Sequence, residues 1–312
     1  MNLRRRLLEM GRERPVKTAP FRRLYPFASH YADLAGLQCH YLDEGEGDPV
    51  VMLHGNPTWS FYYRSLVLAL RSRCRCIVPD HIGCGLSEKP PPSRYGYRLA
   101  DRVADLELLL DRLELRDRLT LVVHDWGGMI GMNFAVRHPG RIRRLVITNT
   151  AAFFPPGGKS LPWQLRFVRN LPLLAAPLVL GFNAFAVAAL FSATKMGLSA
   201  PVRRGLAAPY NGWRNRLATL RFVQDIPWRP QDPGYETVRC VDRHLHRLAG
   251  KPMLICWGKH DFVFDETYYR SWRRRFPKAE AHWFAEAGHY LLEDVPEAVC
   301  ARVETFLRKH PL

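Results

Sequence analysis

The residue of this sequence best placed to do chemistry is Asp125. An apolar, β-branched run at 119–123 precedes it, and Trp126, two glycines and a segment of helical spacing follow, up to His138-Pro139. This order predicts a buried strand, a tight turn and a helix, with Asp125 at the turn. The glycines allow the strand and the helix to pass closely, because a Cβ there would collide. A carboxylate at such a turn can displace a leaving group from an sp³ carbon and form a covalent ester.

Further polar side chains follow other predicted strands. Short apolar runs predict further strands at 37–42, 50–53, 76–79, 144–149, 252–256 and 279–284. The run at 37–42 alternates between apolar and polar residues, as an edge strand would. Amphipathic spacing predicts helices at 59–70, 99–115 and 295–309. Alternating strands and helices favour an α/β fold with a mostly parallel sheet covered on both faces. Reactive groups gather beyond the carboxyl ends of such strands. Five candidates fall there: Asn56, Asp125, Asn149, Asp261 and His289.

A region in the second half of the chain, 154–229, has a different pattern. Its segment 171–191 carries almost no charge and is long enough to suggest a membrane span. A single span would put strands that belong in one sheet on opposite sides of a bilayer, and two prolines, a glycine and an asparagine divide the segment. We therefore predict a core of 24–153 and 230–312 with an inserted helical cap at 154–229, which would form the apolar roof of a pocket.

Composition narrows the partners that we expect. The 312 residues carry a net charge of +17, with 46 Lys and Arg against 29 Asp and Glu. The Arg residues are spread through the chain without a nucleic-acid-binding signature, so we expect no nucleic-acid partner. Seven scattered cysteines suggest neither a disulfide framework nor a zinc site, which favours the cytoplasm. Residues 1–23 form a basic arm without the apolar run of a secretory signal.

Two motifs carry a family resemblance. Val122-Val-His-Asp-Trp-Gly-Gly128 and His54-Gly-Asn-Pro-Thr-Trp-Ser60 resemble the haloalkane dehalogenase group of the α/β-hydrolases, and the likeness extends along the chain from about Tyr25. It is nearest to the subfamily that includes the β-lactone decarboxylases of bacterial olefin synthesis. The resemblance implies an α/β-hydrolase fold, a mostly parallel central sheet with an inserted helical cap.

The resemblance also implies catalytic roles. Asp125, Asp261 and His289 stand in the nucleophile, acid and histidine order of α/β-hydrolases. Asp125 would attack the carbon that bears the leaving group, and His289, oriented by Asp261, would activate water against the resulting ester. Some dehalogenases carry the acid after the preceding strand, where this chain has Asn149, so Asp261 takes the role.

The departing anion needs hydrogen-bond donors. The side chains of Asn56 and Trp126 supply N–H groups without a charge to desolvate, and these positions hold the halide in the resembling family. The backbone N–H groups of the same two residues are the predicted oxyanion hole. Phe153, Phe154, Trp163 and Phe222 are candidate pocket-lining residues. We interpret His54 and His124 as hydrogen-bonded scaffold, and we expect no metal and no cofactor.

Several functions share these residues. The first hypothesis is hydrolysis of a haloalkane to an alcohol and halide; the alternative is decarboxylation of a cis-β-lactone to a long-chain alkene, in which His289 would have a different role. Epoxide hydrolysis is disfavoured by Asn56 and by a cap that offers only Tyr210 to protonate the epoxide. A non-catalytic scaffold is disfavoured by the complete set of catalytic residues. The substrate would be small and apolar; peripheral membrane contact, a multi-enzyme assembly and a homo-oligomer remain open.

Overall fold

An eight-stranded sheet runs through the computed structural model, which describes residues 14–312. Its strands are β1 His30–Leu34, β2 Leu37–Glu44, β3 Asp48–Leu53, β4 Cys74–Pro79, β5 Leu119–His124, β6 Ile142–Thr148, β7 Met253–Gly258 and β8 Glu280–Phe284. They lie in the order β1-β2-β4-β3-β5-β6-β7-β8. Only β2 runs antiparallel to its neighbours, and the other pairings are parallel. The predicted mostly parallel sheet is confirmed.

The edge of the sheet differs from the prediction. The alternating run at 37–42 was expected to be an edge strand, but β2 lies inside the sheet, between β1 and β4. The actual edge strand, β1, is short and half-exposed and has only one buried residue, Leu34. β1 carries too few apolar residues to be predicted as a strand from its own sequence. Its pairing with β2 stabilises it instead.

Helices cover the sheet on both faces. The α-helices are α1 Arg64–Leu70, α2 Leu99–Arg112, α3 Trp126–Arg137, α4 Trp163–Asn170, α5 Pro172–Ala176, α6 Ala184–Ser192, α7 Ala200–Ala207, α8 Leu217–Gln224, α9 Tyr235–His244, α10 Glu266–Arg275, α11 Leu291–Asp294 and α12 Pro296–Lys309. Successive residues of β3 belong to two separate apolar clusters, Val51 and Leu53 to one and Val50 and Met52 to the other. A strand buried on both faces explains the continuous apolar run in its sequence.

The turn after β5 has the geometry of a sharp elbow. Asp125 has φ 50° and ψ −123°, a backbone conformation that L-residues rarely adopt, between the end of β5 and the start of α3. A Cβ on Gly127 would lie 1.9 Å from the carbonyl oxygen of Leu53, and one on Gly128 would lie 1.8 Å from Oγ1 of Thr150. The two glycines therefore let α3 pack directly against the neighbouring strands.

The segment predicted as a cap contains α4 to α8 and packs on the core through specific hydrogen bonds. The indole N–H of Trp59 donates to the carbonyl of Gly205 (3.0 Å), and the Tyr210 hydroxyl donates to the carbonyl of Thr58 (3.1 Å). Within residues 14–312 no single helix is long and apolar enough to cross a membrane, although Pro172–Gly181 and Ala184–Ser192 reach that length as a pair bent by 76°. The boundaries at 154 and 229 stay a prediction.

The predicted basic arm, 1–23, is described only in part, since 1–13 lie outside the described residues. The remainder packs on the protein. The backbone N–H of Arg14 donates to Oδ1 of Asn215 (3.1 Å), and Phe21 is buried with its ring edge-on to that of Phe61 (5.4 Å between centroids). The described part of the arm thus connects the core to the segment that covers it.

Candidate active site

Asp125 lies at the carboxyl end of the central strand β5, and its carboxylate is held by backbone donors. Oδ1 accepts a hydrogen bond from the N–H of Asn56 (2.7 Å), and the carboxylate also accepts one from the N–H of Trp126. The hydroxyl of Thr150 donates to the backbone carbonyl of Asp125 (2.5 Å), which braces the elbow from β6. The Asn56 contact fixes Oδ1, and the other oxygen, Oδ2, faces His289.

His289 stands between two carboxylates. Its Nε2 lies 3.8 Å from Oδ2 of Asp125, and its Nδ1 lies 2.8 Å from Oδ2 of Asp261. The ring of His124, behind it, donates from Nε2 to the backbone carbonyl of His289 (2.8 Å). The structure therefore brings the three residues of the predicted nucleophile, acid and histidine set together, with Nδ1 of His289 hydrogen-bonded to Asp261 and Nε2 facing Asp125.

Asp261 is held in place on both of its oxygens. Oδ1 accepts hydrogen bonds from the backbone N–H groups of Val263 (2.7 Å) and Phe264 (2.9 Å). Oδ2 accepts from the side-chain amide of Asn149 (2.9 Å) as well as from His289. An acid with this many donors stays ionised and fixes the orientation of the imidazole.

Electrostatics separate the three groups. Burial alone would raise the pKa of Asp261, but His289 and the backbone donors outweigh it and lower that pKa. Burial would lower the pKa of His289, but the carboxylates of Asp261 and Asp125 raise it above its ordinary value of 6.5. For Asp125 burial is the largest effect, and its pKa is raised despite His289 and the two backbone donors. Asp125 is therefore the more readily protonated of the two carboxylates.

Asn56 and Trp126, the predicted donors to the leaving group, both line the cavity in front of Asp125. The side-chain amide of Asn56 donates one hydrogen bond to the carbonyl of Thr219 (3.0 Å), in α8, which leaves its second N–H without a partner among the described residues. No hydrogen bond involves the Trp126 indole N–H within residues 14–312. Two N–H groups thus remain for an anion released beside Asp125.

The cavity has a volume of about 280 Å³ and is mostly apolar. Phe153 and Phe154 line it, as expected. Trp163 does not: α4 turns its ring outward, where 72% of the residue is exposed. Phe222 does not line the cavity either, because it is fully buried behind Trp126, with 5.1 Å between the ring centroids. The predictions that Trp163 and Phe222 line the pocket are therefore wrong.

Sequence reasoning missed several residues of the site. Phe185, Ala189 and Ser192 line the cavity from α6, and Tyr290 lines it next to His289. Phe185, Ala189 and Ser192 are spaced by four and three residues, so they lie on one face of α6. The sequence alone does not say which face of that helix packs toward the cavity. Among residues 14–312 no three His, Cys, Asp or Glu side chains form a group that could hold a metal ion.

Comparison with known proteins places this chain in a class. A family model described as the alpha/beta hydrolase fold matches residues 48–296. The chain is 51% identical over 285 residues to a cis-3-alkyl-4-alkyloxetan-2-one decarboxylase of Shewanella oneidensis, covering 91% of this chain and 89% of the relative. It is 33% identical to haloalkane dehalogenase 2 of Mycobacterium tuberculosis, covering 92% and 98%. The crystal structure of haloalkane dehalogenase DbeA from Bradyrhizobium elkani superposes with a TM-score of 0.81 at 25% identity, covering 91% and 98%.

The chain is an enzyme of the α/β-hydrolase family. Within that family it belongs to the group that contains haloalkane dehalogenases and cis-3-alkyl-4-alkyloxetan-2-one decarboxylases. Both resemblances that the sequence motifs indicated are therefore confirmed at the level of the family.

Proposed function

We propose that this enzyme decarboxylates cis-3,4-dialkyl β-lactones (oxetan-2-ones) to alkenes and CO₂. The observation that carries the proposal is the 51% identity over 91% of the chain to a relative named for that activity, against 33% to a named dehalogenase. The site supports it with a carboxylate nucleophile, donors for a leaving anion and an apolar cavity. The sequence motifs gave β-lactone decarboxylation as the alternative to dehalogenation, and the difference in identity now favours it.

The first step opens the ring at saturated carbon. Oδ2 of Asp125 attacks C4, the ring carbon bonded to oxygen, and the C4–O bond breaks as the new ester bond forms. The electron pair of the broken bond goes to the released carboxylate of the substrate. We assign its stabilisation to the remaining side-chain N–H of Asn56 and the indole N–H of Trp126, because both residues line the same cavity as Asp125 and neither N–H has a partner within 14–312.

The second step releases both products without water. The bond between C3 and the carboxylate carbon breaks, its electron pair forms the C3=C4 double bond, and the ester bond to Asp125 breaks to regenerate the carboxylate. Attack from behind C4 places the ester and the substrate carboxylate on opposite sides of the C3–C4 bond, which is the arrangement that elimination requires. The two alkyl groups then remain on one side, so a cis lactone should yield a cis alkene.

His289 has no proton to remove in this sequence. Its pKa is raised by Asp261 and Asp125 even though burial opposes the shift, so the imidazolium form is favoured in the site. A positive charge 3.8 Å from Oδ2 of Asp125 favours departure of that carboxylate in the second step. The N–H groups of Asn56 and Trp126, which already bind the carboxylate, favour the same departure.

Hydrolytic dehalogenation is the second candidate, favoured by the alignment of His289 between Asp125 and Asp261. After displacement of halide, neutral His289 would take a proton from water, and the hydroxide formed would attack the ester carbonyl of Asp125. The backbone N–H groups of Asn56 and Trp126 would then bind the resulting oxyanion. The same five residues therefore serve both reactions, and only the fate of the ester differs.

Parallel incubations distinguish the two. Purified enzyme is given a cis-3,4-dialkyl β-lactone, with alkene measured by gas chromatography–mass spectrometry, and a bromoalkane, with bromide release measured. We expect cis alkene and CO₂ from the lactone, and we expect Asp125→Ala to abolish them while circular dichroism shows an intact fold. Continuous bromide release with unchanged lactone would overturn the proposal in favour of dehalogenation.

A further inference from the structure

The surface above the cavity carries an unusual group of exposed apolar side chains. Six large hydrophobic residues of α4 to α6, of the connection between α5 and α6 and of the loop after α6 are more than 60% exposed. Every other large hydrophobic residue among 14–312 has a lower exposed fraction. We call this group the cap tip: Trp163 (72%), Leu173 (88%), Leu174 (61%), Phe182 (78%), Phe191 (68%) and Met196 (66%). Exposure of this kind, concentrated between residues 163 and 196, marks an interaction surface rather than scattered surface variation.

The helices of the cap tip are apolar on two sides. Ala175, Val179 and Leu180 face inward and pack in a cluster with Leu220 and Val223 of α8. A helix that buries one face normally presents a polar face to water. Here the outward positions carry leucine and phenylalanine instead, so the folded chain leaves the outer side without a partner among the described residues.

Charge around the cap tip indicates what covers it. Residues 154–229 contain ten Lys and Arg against one acidic residue, Asp225, a net of +9. That acid is buried and paired with Arg98 of the core. Lys159 and Arg169 pair with Asp265 and Asp232, which lie outside the segment, so these two cations do not add to the surface charge. Arg166 and Arg204 are exposed and form no ion pair within 14–312, and the guanidinium of Arg203 lies 5.5 Å from the ring centre of Phe191. Exposed cations beside exposed apolar rings complement an anionic lipid surface.

The cap tip also adjoins the mouth of the cavity. Gln164, Ala188 and Ser192 are exposed and line the cavity, and each is next in sequence to an exposed apolar residue of the same helices. An apolar compound that leaves a bilayer at the cap tip would therefore meet the cavity entrance without crossing water.

We propose that the cap tip docks this enzyme on an anionic lipid bilayer, with the apolar side chains inserted at the headgroup boundary and the flanking arginines on the lipid phosphates. The bent pair Pro172–Gly181 and Ala184–Ser192 would lie in the plane of the interface. Docking rests on this surface alone and does not depend on which reaction Asp125 performs.

Vesicle binding tests the proposal. The full-length enzyme is sedimented with vesicles of phosphatidylglycerol and phosphatidylcholine, and with vesicles of phosphatidylcholine alone, at low and high salt. We expect binding to the anionic vesicles that weakens at high salt, because lipid charges are screened. Leu173→Glu/Phe182→Glu should weaken it by at least roughly tenfold. Arg166→Gln/Arg204→Gln should weaken it by about 25-fold, because each cation at an anionic surface contributes roughly fivefold.

A matched control variant replaces an exposed aromatic residue and an exposed leucine with glutamate on the surface of the core, away from the cap tip. This variant, Tyr31→Glu/Leu68→Glu, changes residues that are 53% and 43% exposed, and it should bind vesicles like the unmodified enzyme. Equal vesicle binding by the cap-tip and control variants would overturn the proposal and assign any binding to general charge. So would a lack of binding to anionic vesicles, or sedimentation velocity in which Leu173→Glu/Phe182→Glu converts a dimer to a monomer.

Discussion

Asn149 donates its side-chain amide to the same carboxylate oxygen of Asp261 that binds His289, at 2.9 Å and 2.8 Å respectively. The two residues follow β6 and β7, which are paired in parallel. Asn149 also accepts a hydrogen bond from the N–H of Gly258 (2.8 Å), which fixes its amide relative to β7. Asn149, which stands after β6 where some dehalogenases carry the acid, therefore holds Asp261, the acid that follows β7, in place.

This arrangement predicts that the acid can be moved from one strand to the other. Asp261→Asn should lower the pKa of His289, because the nearest carboxylate is lost. Adding Asn149→Asp to that variant should raise the pKa again, since the exchanged pair keeps one carboxylate and one amide in contact. The measurement is an NMR titration of His289 in the three proteins.

Single-variant data complete this test. Asn149→Asp alone places two carboxylates within hydrogen-bonding distance of each other and should raise the pKa of His289 above that of the unmodified enzyme. If the exchanged pair leaves His289 titrating as in Asp261→Asn, position 149 does not reach the imidazole and the coupling described here is wrong.

The catalytic elements were predictable because their signals are local. The strand, the two glycines and the helix around Asp125 lie within twenty residues, and each signal agrees with the others. Asp261 and His289 were predictable for a related reason, since parallel strands bring their carboxyl ends to one edge. The hydrogen bond from Asn149 to Asp261 was not predictable, because an asparagine after β6 does not by itself indicate which residue after β7 its amide contacts.

The errors concern orientations that only packing decides. Trp163 and Gln164 are neighbours in α4, but Gln164 faces the cavity and Trp163 faces away from it. Phe222 is displaced from the cavity wall by Trp126, and the Arg102 guanidinium lies 3.5 Å from the centre of its ring on another side. Composition identified these residues as apolar but could not say which side of each helix meets the core.

The role of His289 can be isolated by removing its imidazole. In His289→Ala no base activates water, so a bromoalkane that alkylates Asp125 should release about one bromide per chain while steady-state release falls by roughly 10²- to 10⁴-fold. Lactone decarboxylation needs no base and should fall far less. Bromide counting and intact mass of the Asp125 peptide measure the two outcomes.

His260→Ala is the matched control, because that imidazole is exposed and forms no side-chain hydrogen bond within 14–312. It should leave both reactions unchanged. A loss of alkene formation in His289→Ala as large as the loss of steady-state bromide release would contradict an alkene-forming step that needs no base.

The pH dependence follows from the directions of two pKa shifts. Burial raises the pKa of Asp125, so any turnover that starts with this carboxylate should fall on acidification at a pH above the usual range for aspartate. Asp261 and Asp125 raise the pKa of His289 although burial opposes them, so turnover that needs the neutral imidazole should keep rising with pH beyond 6.5. Alkene formation should show the first limb and should then fall at a pH above 6.5, because the imidazolium that favours departure of Asp125 is lost, whereas hydrolytic bromide turnover should keep rising there. Steady-state kcat measured from pH 4 to 9 checks this, and an alkene profile that rises with pH beyond 6.5 would contradict it.

The close approach at the elbow predicts a steric effect on stability. Gly127→Ala would place a Cβ 1.9 Å from the Leu53 carbonyl oxygen, which is backbone and cannot rotate away. We expect a loss of about 3 kcal/mol or more in the free energy of unfolding, at the upper end for overpacked sites. Gly140→Ala is the control, because nothing lies within 4 Å of its added Cβ. Urea unfolding of both variants measures the difference, and equal midpoints would show that α3 shifts without cost.

The side chain of Asn56 provides a test of the leaving-group site that spares the backbone. Asn56→Leu removes the amide but keeps the backbone N–H that binds Oδ1 of Asp125, so the Asp125 carboxylate should stay in place. Loss of one such donor should slow the displacement step by roughly 10²- to 10³-fold. The loss should be larger for a chloroalkane than for an iodoalkane, because chloride departs with more charge left to stabilise, and single-turnover rates across the halide series measure it. An equal reduction for the chloroalkane and the iodoalkane would mean that Asn56 acts through its hydrogen bond to Thr219 in α8, by holding the cap in place, and not on the departing anion.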